Sequence, residues 1–130
     1  MSGNQIHVAV VDDDESFARA IGRLLRAAGF GTAIYHSAET FLHNHAAGPV
    51  HCLVLDVQLG GMSGPELGRH LAETGANIPV IFVTALEAGE PSQEARQIGC
   101  SSLLHKPVSG RVLVEAIRQA VNPAAKLKPV

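Results

Sequence analysis

At 130 residues the chain suits one domain, with room for a core that needs no disulfide or structural metal. Apolar residues make up 46% and charged residues 17%, the balance of a folded chain and not a disordered one. Ten Lys+Arg against twelve Asp+Glu leave a formal charge of −2, which offers no general attraction for nucleic acid or an acidic membrane surface. No apolar run reaches the length of a bilayer span, and the opening "MSGNQ" has no signal-peptide apolar region, so a cytoplasmic protein is expected. Cys52 and Cys100 lack metal-ligand spacing and read as small, reduced core residues.

The first apolar run, "IHVAVV", stops at Asp12, Asp13 and Asp14, which are three of the twelve acidic residues at one point. One aspartate suffices to cap a helix, and Asp14 takes that role, so the other two need another reason to be there. Phe17, Ile21, Leu24, Leu25 and Ala28 follow helical spacing, and Gly29 supplies the stop. After a second run, "GTAIY", Ser37 can cap a short helix carrying Phe41 and Leu42. The third run, "HCLVLDV", contains Asp56. Pro65 then suits the first turn of a helix with Leu67 and Leu71 on its inner face and Gly75 at its end. "IPVIFVTA" is the fourth run, and the segment "EPSQEARQIG" after it predicts a helix poor in apolar anchors. The fifth run, "SSLLH", leads through Lys106-Pro107 to a last helix from about Ser109 to Val121, with Leu113, Ala116, Ile117, Ala120 and Val121 inward. The seven histidines do not cluster; His43 and His45, two apart, would point away from each other, and no histidine metal site is read.

The strands are continuous Val/Ile/Leu runs without alternation, the pattern of strands buried on both faces of a parallel sheet. Strand and helix alternate five times, predicting an α/β, doubly wound (βα)5 fold with a five-stranded parallel sheet. In a flavodoxin-like order of 2-1-3-4-5, ligands bind beyond the carboxyl ends of the strands. The polar residues at those ends are Asp12, Asp13, Asp56, Thr84 and Lys106. Carboxylates brought together without compensation are unfavourable, but they suit a hard cation such as Mg2+.

These five residues, with the phrases "VVDDDES", "LVLDVQLGGMSGPEL", "IPVIFVTA" and "HKP", resemble the receiver domain of two-component response regulators. The resemblance runs from about Ile6 to Val121. It suggests a receiver domain over residues 1–122, with 123–130 as a tail or the start of a linker. The resemblance implies that Asp56 is the phosphoacceptor. It also implies that Asp13 and Asp56 ligate Mg2+ directly, Asp12 through water, and Gln58 through its backbone carbonyl. Lys106 would pair with Asp56 and then with a phosphoryl oxygen, while the Thr84 hydroxyl and the Ala85 N–H hold the others. Such a domain is not an enzyme in the usual sense, although it assists its own phosphorylation and slow dephosphorylation. The implied partners are a sensor histidine kinase or a histidine phosphotransfer protein, and a downstream protein target or an output domain. Direct contact with nucleic acid or membrane is not expected. Output would use the face of the fourth helix, fifth strand and fifth helix, which would also carry a dimer if one forms.

Three positions depart from the family pattern. Leu103 stands where an aromatic switch residue is usual, leaving Thr84 and its loop as the main route of the switch. Gly60 replaces a common proline, and the adjacent Gly60 and Gly61 predict a loose loop. Leu86 is a bulky apolar residue near the approach of hydrolytic water; it is expected to slow dephosphorylation, with Gln58 mattering less. Two alternatives remain open in the sequence: a receiver belonging to a longer transcriptional regulator, and, remotely, a phosphatase of the haloacid-dehalogenase type using Asp12 and Asp14. The second leaves Asp56 idle.

Overall fold

The computed structural model describes residues 5–44, 50–75, 78–85 and 102–121. Five parallel strands run as β1 (His7–Val11), β2 (Gly31–Tyr35), β3 (Cys52–Asp56), β4 (Val80–Thr84) and β5 (Ser102–His105). They form one sheet in the order β2-β1-β3-β4-β5, as the strand pattern predicts. The described helices are α1 (Glu15–Ala27), α2 (Ala38–Asn44), α3 (Gly64–Glu73) and the C-terminal α4 (Gly110–Val121). The predicted helix "EPSQEARQIG", Leu86 and Cys100 lie outside the described residues.

The unbroken apolar strands are explained by two cores that share the sheet. Val8, Val10, Val54, Ile81 and Val83 face Ala18, Ile21 and Leu25 of α1 and Leu113 and Ile117 of α4. Their neighbours in sequence, Ala9, Val11, Leu53, Leu55 and Phe82, face Phe41 of α2 and Leu67 and Leu71 of α3. Successive strand side chains point to opposite faces, so a strand covered on both sides must be apolar at every position. Cys52 is buried in the first of these cores.

The helix ends are set by capping. The Asp14 side chain accepts from the Phe17 N–H at 3.2 Å, which places Asp14 in the capping role expected of it. Gly29 stops α1 at φ 100°, a left-handed geometry that glycine adopts without strain. The Ser37 hydroxyl accepts from the Thr40 N–H at 3.0 Å at the start of α2. At α3 a capping box joins Ser63 and Glu66 across Pro65, a signature plainly written in "SGPE".

Candidate functional site

Four of the predicted site residues are fixed at the carboxyl edge of the sheet by the backbone ladder itself. The Asp12 N–H donates to the Tyr35 carbonyl at 3.0 Å, one step beyond the end of β1. Asp56 is the last residue of β3, in register with Val83 of β4. Thr84 ends β4 and is fully buried. Its carbonyl accepts from the Lys106 N–H at 2.8 Å, so Lys106 continues the ladder just past β5. The four side chains therefore rise from the last residues of adjacent strands or from the residue just beyond them.

Asp12, Asp13 and Asp56 bring carboxylate oxygens within 4.8 Å of one another, the one such group of three metal-binding side chains among the described residues. Asp12 and Asp56 are buried, and Asp13 is exposed at the mouth. The Lys106 Nζ lies 3.0 Å from Asp12 Oδ2 and 3.7 Å from Asp56 Oδ2, with only 18% of its side chain exposed. Lys106 thus pairs first with Asp12 and second with Asp56, whereas the resemblance implied Asp56 alone. The other Asp12 oxygen accepts from the Asp14 N–H at 2.9 Å, and the other Asp56 oxygen from the Gln58 N–H at 3.2 Å. His36 Nδ1 is 3.2 Å from the Asp12 carbonyl oxygen and donates to it. The Lys106 Nζ also stands over the Phe17 ring, 4.3 Å from its centroid.

Burial pushes the Asp56 carboxyl up to about 6, and the neighbouring Asp12 charge adds to the rise. The Lys106 ammonium and the Gln58 N–H pull in the opposite direction without cancelling it. The site is built so that one carboxylate is costly to ionise yet mostly ionised at neutral pH. Three clustered carboxylates are all hard oxygen donors, which fits Mg2+ in kind.

The loop after Asp56 is better anchored than its two glycines suggest. Gly61 takes φ 75°, and the Glu39 carboxylate of α2 accepts from the Met62 N–H at 3.0 Å. A Cβ on Gly64 would run into the Asp56 carbonyl oxygen, so α3 starts directly against the strand that ends in the site. The Met62 N–H holds the Glu39 carboxyl below the ordinary carboxylate value. A carboxyl with a depressed folded value contributes its tether above the unfolded value and loses it as pH falls through the folded one. Glu39→Gln should therefore speed hydrogen exchange at Met62 by roughly fivefold at pH 7. It should leave α1 unchanged, and equal exchange in the two proteins would refute the tether.

Leu103 is half-buried and packs on the α2–α3 core together with Tyr35 and Met62. Gln58 and Ala85 are exposed beside the site. The contacts of Phe17, Glu39 and His51 leave no signal in the sequence: Phe17 falls within the helical apolar spacing of α1, and all three have partners far away in sequence. His51 stacks on His7 at the opposite edge of the sheet, with ring centroids 5.7 Å apart. The phosphatase alternative fails because Asp14 is committed to capping α1, while Asp56, idle in that scheme, sits inside the carboxylate group.

Fold and site define a class: a doubly wound α/β domain with an acidic, lysine-bearing cleft at the carboxyl edge of its sheet. A family model, the response regulator receiver domain, matches residues 8–118, and the chain belongs to that family. The response regulator protein TmoT of Ectopseudomonas mendocina is 32% identical over 98% of this chain and 58% of its own length. The solved structure of the response regulator StyR superposes with a TM-score of 0.85 at 35% identity, covering 95% of this chain and 63% of that one. The FixJ-N structure gives 0.82 at 31% identity over 98% of both chains. The chain spans little more than half the length of the curated relatives it matches. Among the described residues, no helix is long and apolar enough to cross a membrane.

Proposed function

We propose that this chain is a Mg2+-dependent phosphoacceptor switch whose reactive group is the Asp56 carboxylate, contained in a receiver domain over residues 1–122 with a tail or the start of a linker at 123–130. The observation that carries this reading is the buried Asp56 at the end of β3, beside Lys106 and within the Asp12–Asp13–Asp56 group. An Asp56 oxygen attacks the phosphorus of a phosphohistidine or a small phosphoramidate, and the P–N bond breaks with its electron pair going to nitrogen. Lys106 has three N–H donors and can exchange a carboxylate oxygen for a phosphoryl oxygen. The Thr84 hydroxyl and the Ala85 N–H receive the remaining oxygens. Asp12, Asp13, Asp56 and the Gln58 carbonyl would hold Mg2+, which when bound supplies positive charge opposite the phosphoryl oxygens. Leu86, from its place in the sequence, restricts hydrolytic water more than Gln58 does, and Thr84 with Leu103 transmits the change. The chain is a signalling domain, not an enzyme with a separate substrate, and it works in the cytoplasm.

Its donor would be a sensor histidine kinase or a histidine phosphotransfer protein. Output by protein contact, or through an attached output domain, follows from the same reading. The length of the relatives favours a second version, in which this domain works inside a longer transcriptional regulator; FixJ of Bradyrhizobium diazoefficiens is one such named relative. Immunoblotting the native gene product for its size separates the two.

The test of the main reading is intact mass after phosphoramidate with Mg2+. One phosphoryl group should be gained, none on Asp56→Asn, and none after chelation of the metal. Mg2+ at about ten times its Kd should also raise stability by about 1.4 kcal/mol. Full phosphorylation of Asp56→Asn, or uptake indifferent to chelator, would overturn it.

A further inference from the structure

We propose that Phe17 is a positioning residue for Lys106: its ring holds the ammonium at the Asp56 mouth through the ring face, without adding a competing negative charge. The proposal rests on the phosphoacceptor reading above. It starts from a three-sided enclosure of one nitrogen. The Lys106 Nζ has Asp12 Oδ2 at 3.0 Å, Asp56 Oδ2 at 3.7 Å and the Phe17 centroid at 4.3 Å. The last distance lies well inside the range in which an aromatic quadrupole attracts a cation, and the attraction is larger where water is excluded.

The ring is held in place by the same turn that builds the acidic group. The Asp14 N–H donates to Asp12 Oδ1, and Asp14 Oδ1 in turn accepts from the Phe17 N–H. Phe17 also packs against the core between α1 and α4. Its ring is therefore indexed to Asp12 through two hydrogen bonds, and does not simply cover the site from a mobile chain.

The chemical advantage of an aromatic here follows from what Lys106 must do. A third carboxylate beside the ammonium would bind it more strongly, but it would oppose the arrival of a phosphoryl group carrying negative charge. An aliphatic side chain would keep water off and exert no pull. A ring face attracts the ammonium, sheds water, and leaves the N–H donors free to pass from carboxylate to phosphoryl oxygen.

The experiment compares Phe17 with Phe17→Leu, Phe17→Tyr and a series of ring-fluorinated phenylalanines installed at position 17, which keep shape while draining the ring face of negative charge. Beryllofluoride, a phosphoryl mimic, is the probe in the presence of Mg2+. Affinity for it, and the rate of phosphorylation by limiting phosphoramidate, should fall stepwise with fluorination. Both should fall about tenfold in Phe17→Leu, equivalent to about 1.4 kcal/mol, and recover in Phe17→Tyr. Affinity for Mg2+ alone should hold, because a phenyl ring supplies no oxygen ligand to the cation. A separate readout needs no phosphoryl chemistry: the Lys106 Hε protons should show an upfield ring-current shift in the untreated protein, absent in Phe17→Leu. If the wild-type protein keeps that shift but binds no beryllofluoride, the phosphoacceptor reading fails while the contact stands. If Asp56 is phosphorylated normally across the fluorinated series and in Phe17→Leu, the role given to Phe17 is overturned.

Discussion

Asp56→Asn is expected to make the metal-free protein more stable at neutral pH, by about 3 kcal/mol, or roughly 10 °C in melting temperature. Burial and the Asp12 charge raise the Asp56 carboxyl from 3.8 to about 6, so ionising it costs more in the folded state than in the unfolded one. A group raised in this way contributes stability below its unfolded value and loses it as pH rises through the folded one. The wild-type protein should therefore lose stability between about pH 4 and pH 6, a loss the asparagine variant does not share. Urea unfolding from pH 4 to pH 8 without divalent metal should show two curves that meet at the acid end and separate toward neutrality. Curves that run parallel, or a variant weaker at pH 7, would mean that Lys106 and the Gln58 N–H compensate the charge fully.

Lys106→Met should have the opposite effect and a comparable size. Its Nζ is the cation paired with both buried carboxylates, and its side chain is itself largely enclosed. Removing one partner from a buried ion pair leaves the other charge uncompensated and costs about 3 kcal/mol or more. The loss should be greatest at pH 7 to 8 and should shrink on acidification, where protonation of Asp56 relieves it. Adding Asp56→Asn to Lys106→Met should restore part of the stability, a non-additivity expected of residues in contact. Phosphorylation by phosphoramidate should slow by about a hundredfold, the scale of losing one oriented cationic donor. A single variant as stable as wild type at pH 8 would remove the ion-pair account of the site.

How much of this was legible depended on whether a feature is local in sequence. Asp56, Thr84 and Lys106 each stop or closely follow an apolar run, and a parallel sheet brings the ends of its runs to one edge. The chain alone was enough to bring them together. The division of labour among Asp12, Asp13 and Asp14 was also readable in part, since a cap needs only one of them. Other features join distant segments and leave no periodic trace. Glu39 reaches Met62 from α2, and Phe17 meets Lys106 across about two thirds of the chain. The preference of Lys106 for Asp12 over Asp56 is a matter of tenths of an ångström in side-chain placement, below anything a strand pattern encodes. The loop at Gly60 and Gly61 was misjudged because its anchor is a carboxylate on another helix. By contrast, the Ser63–Glu66 box is local, written in four consecutive letters with the proline between its two members.

The rungs beneath the site carry an evolutionary corollary. Asp12, Val57 and Lys106 all donate their backbone N–H groups across to a neighbouring strand. The connections between strands can then lengthen or shorten by whole residues without disturbing the functional groups, as long as each strand re-enters at the same rung. A frame slip of β5 by a single residue is another matter. It would keep the apolar character of the strand and the topology of the sheet, yet turn the lysine toward the opposite layer of helices. Length variation in this domain should accordingly be tolerated between strands and purged within them.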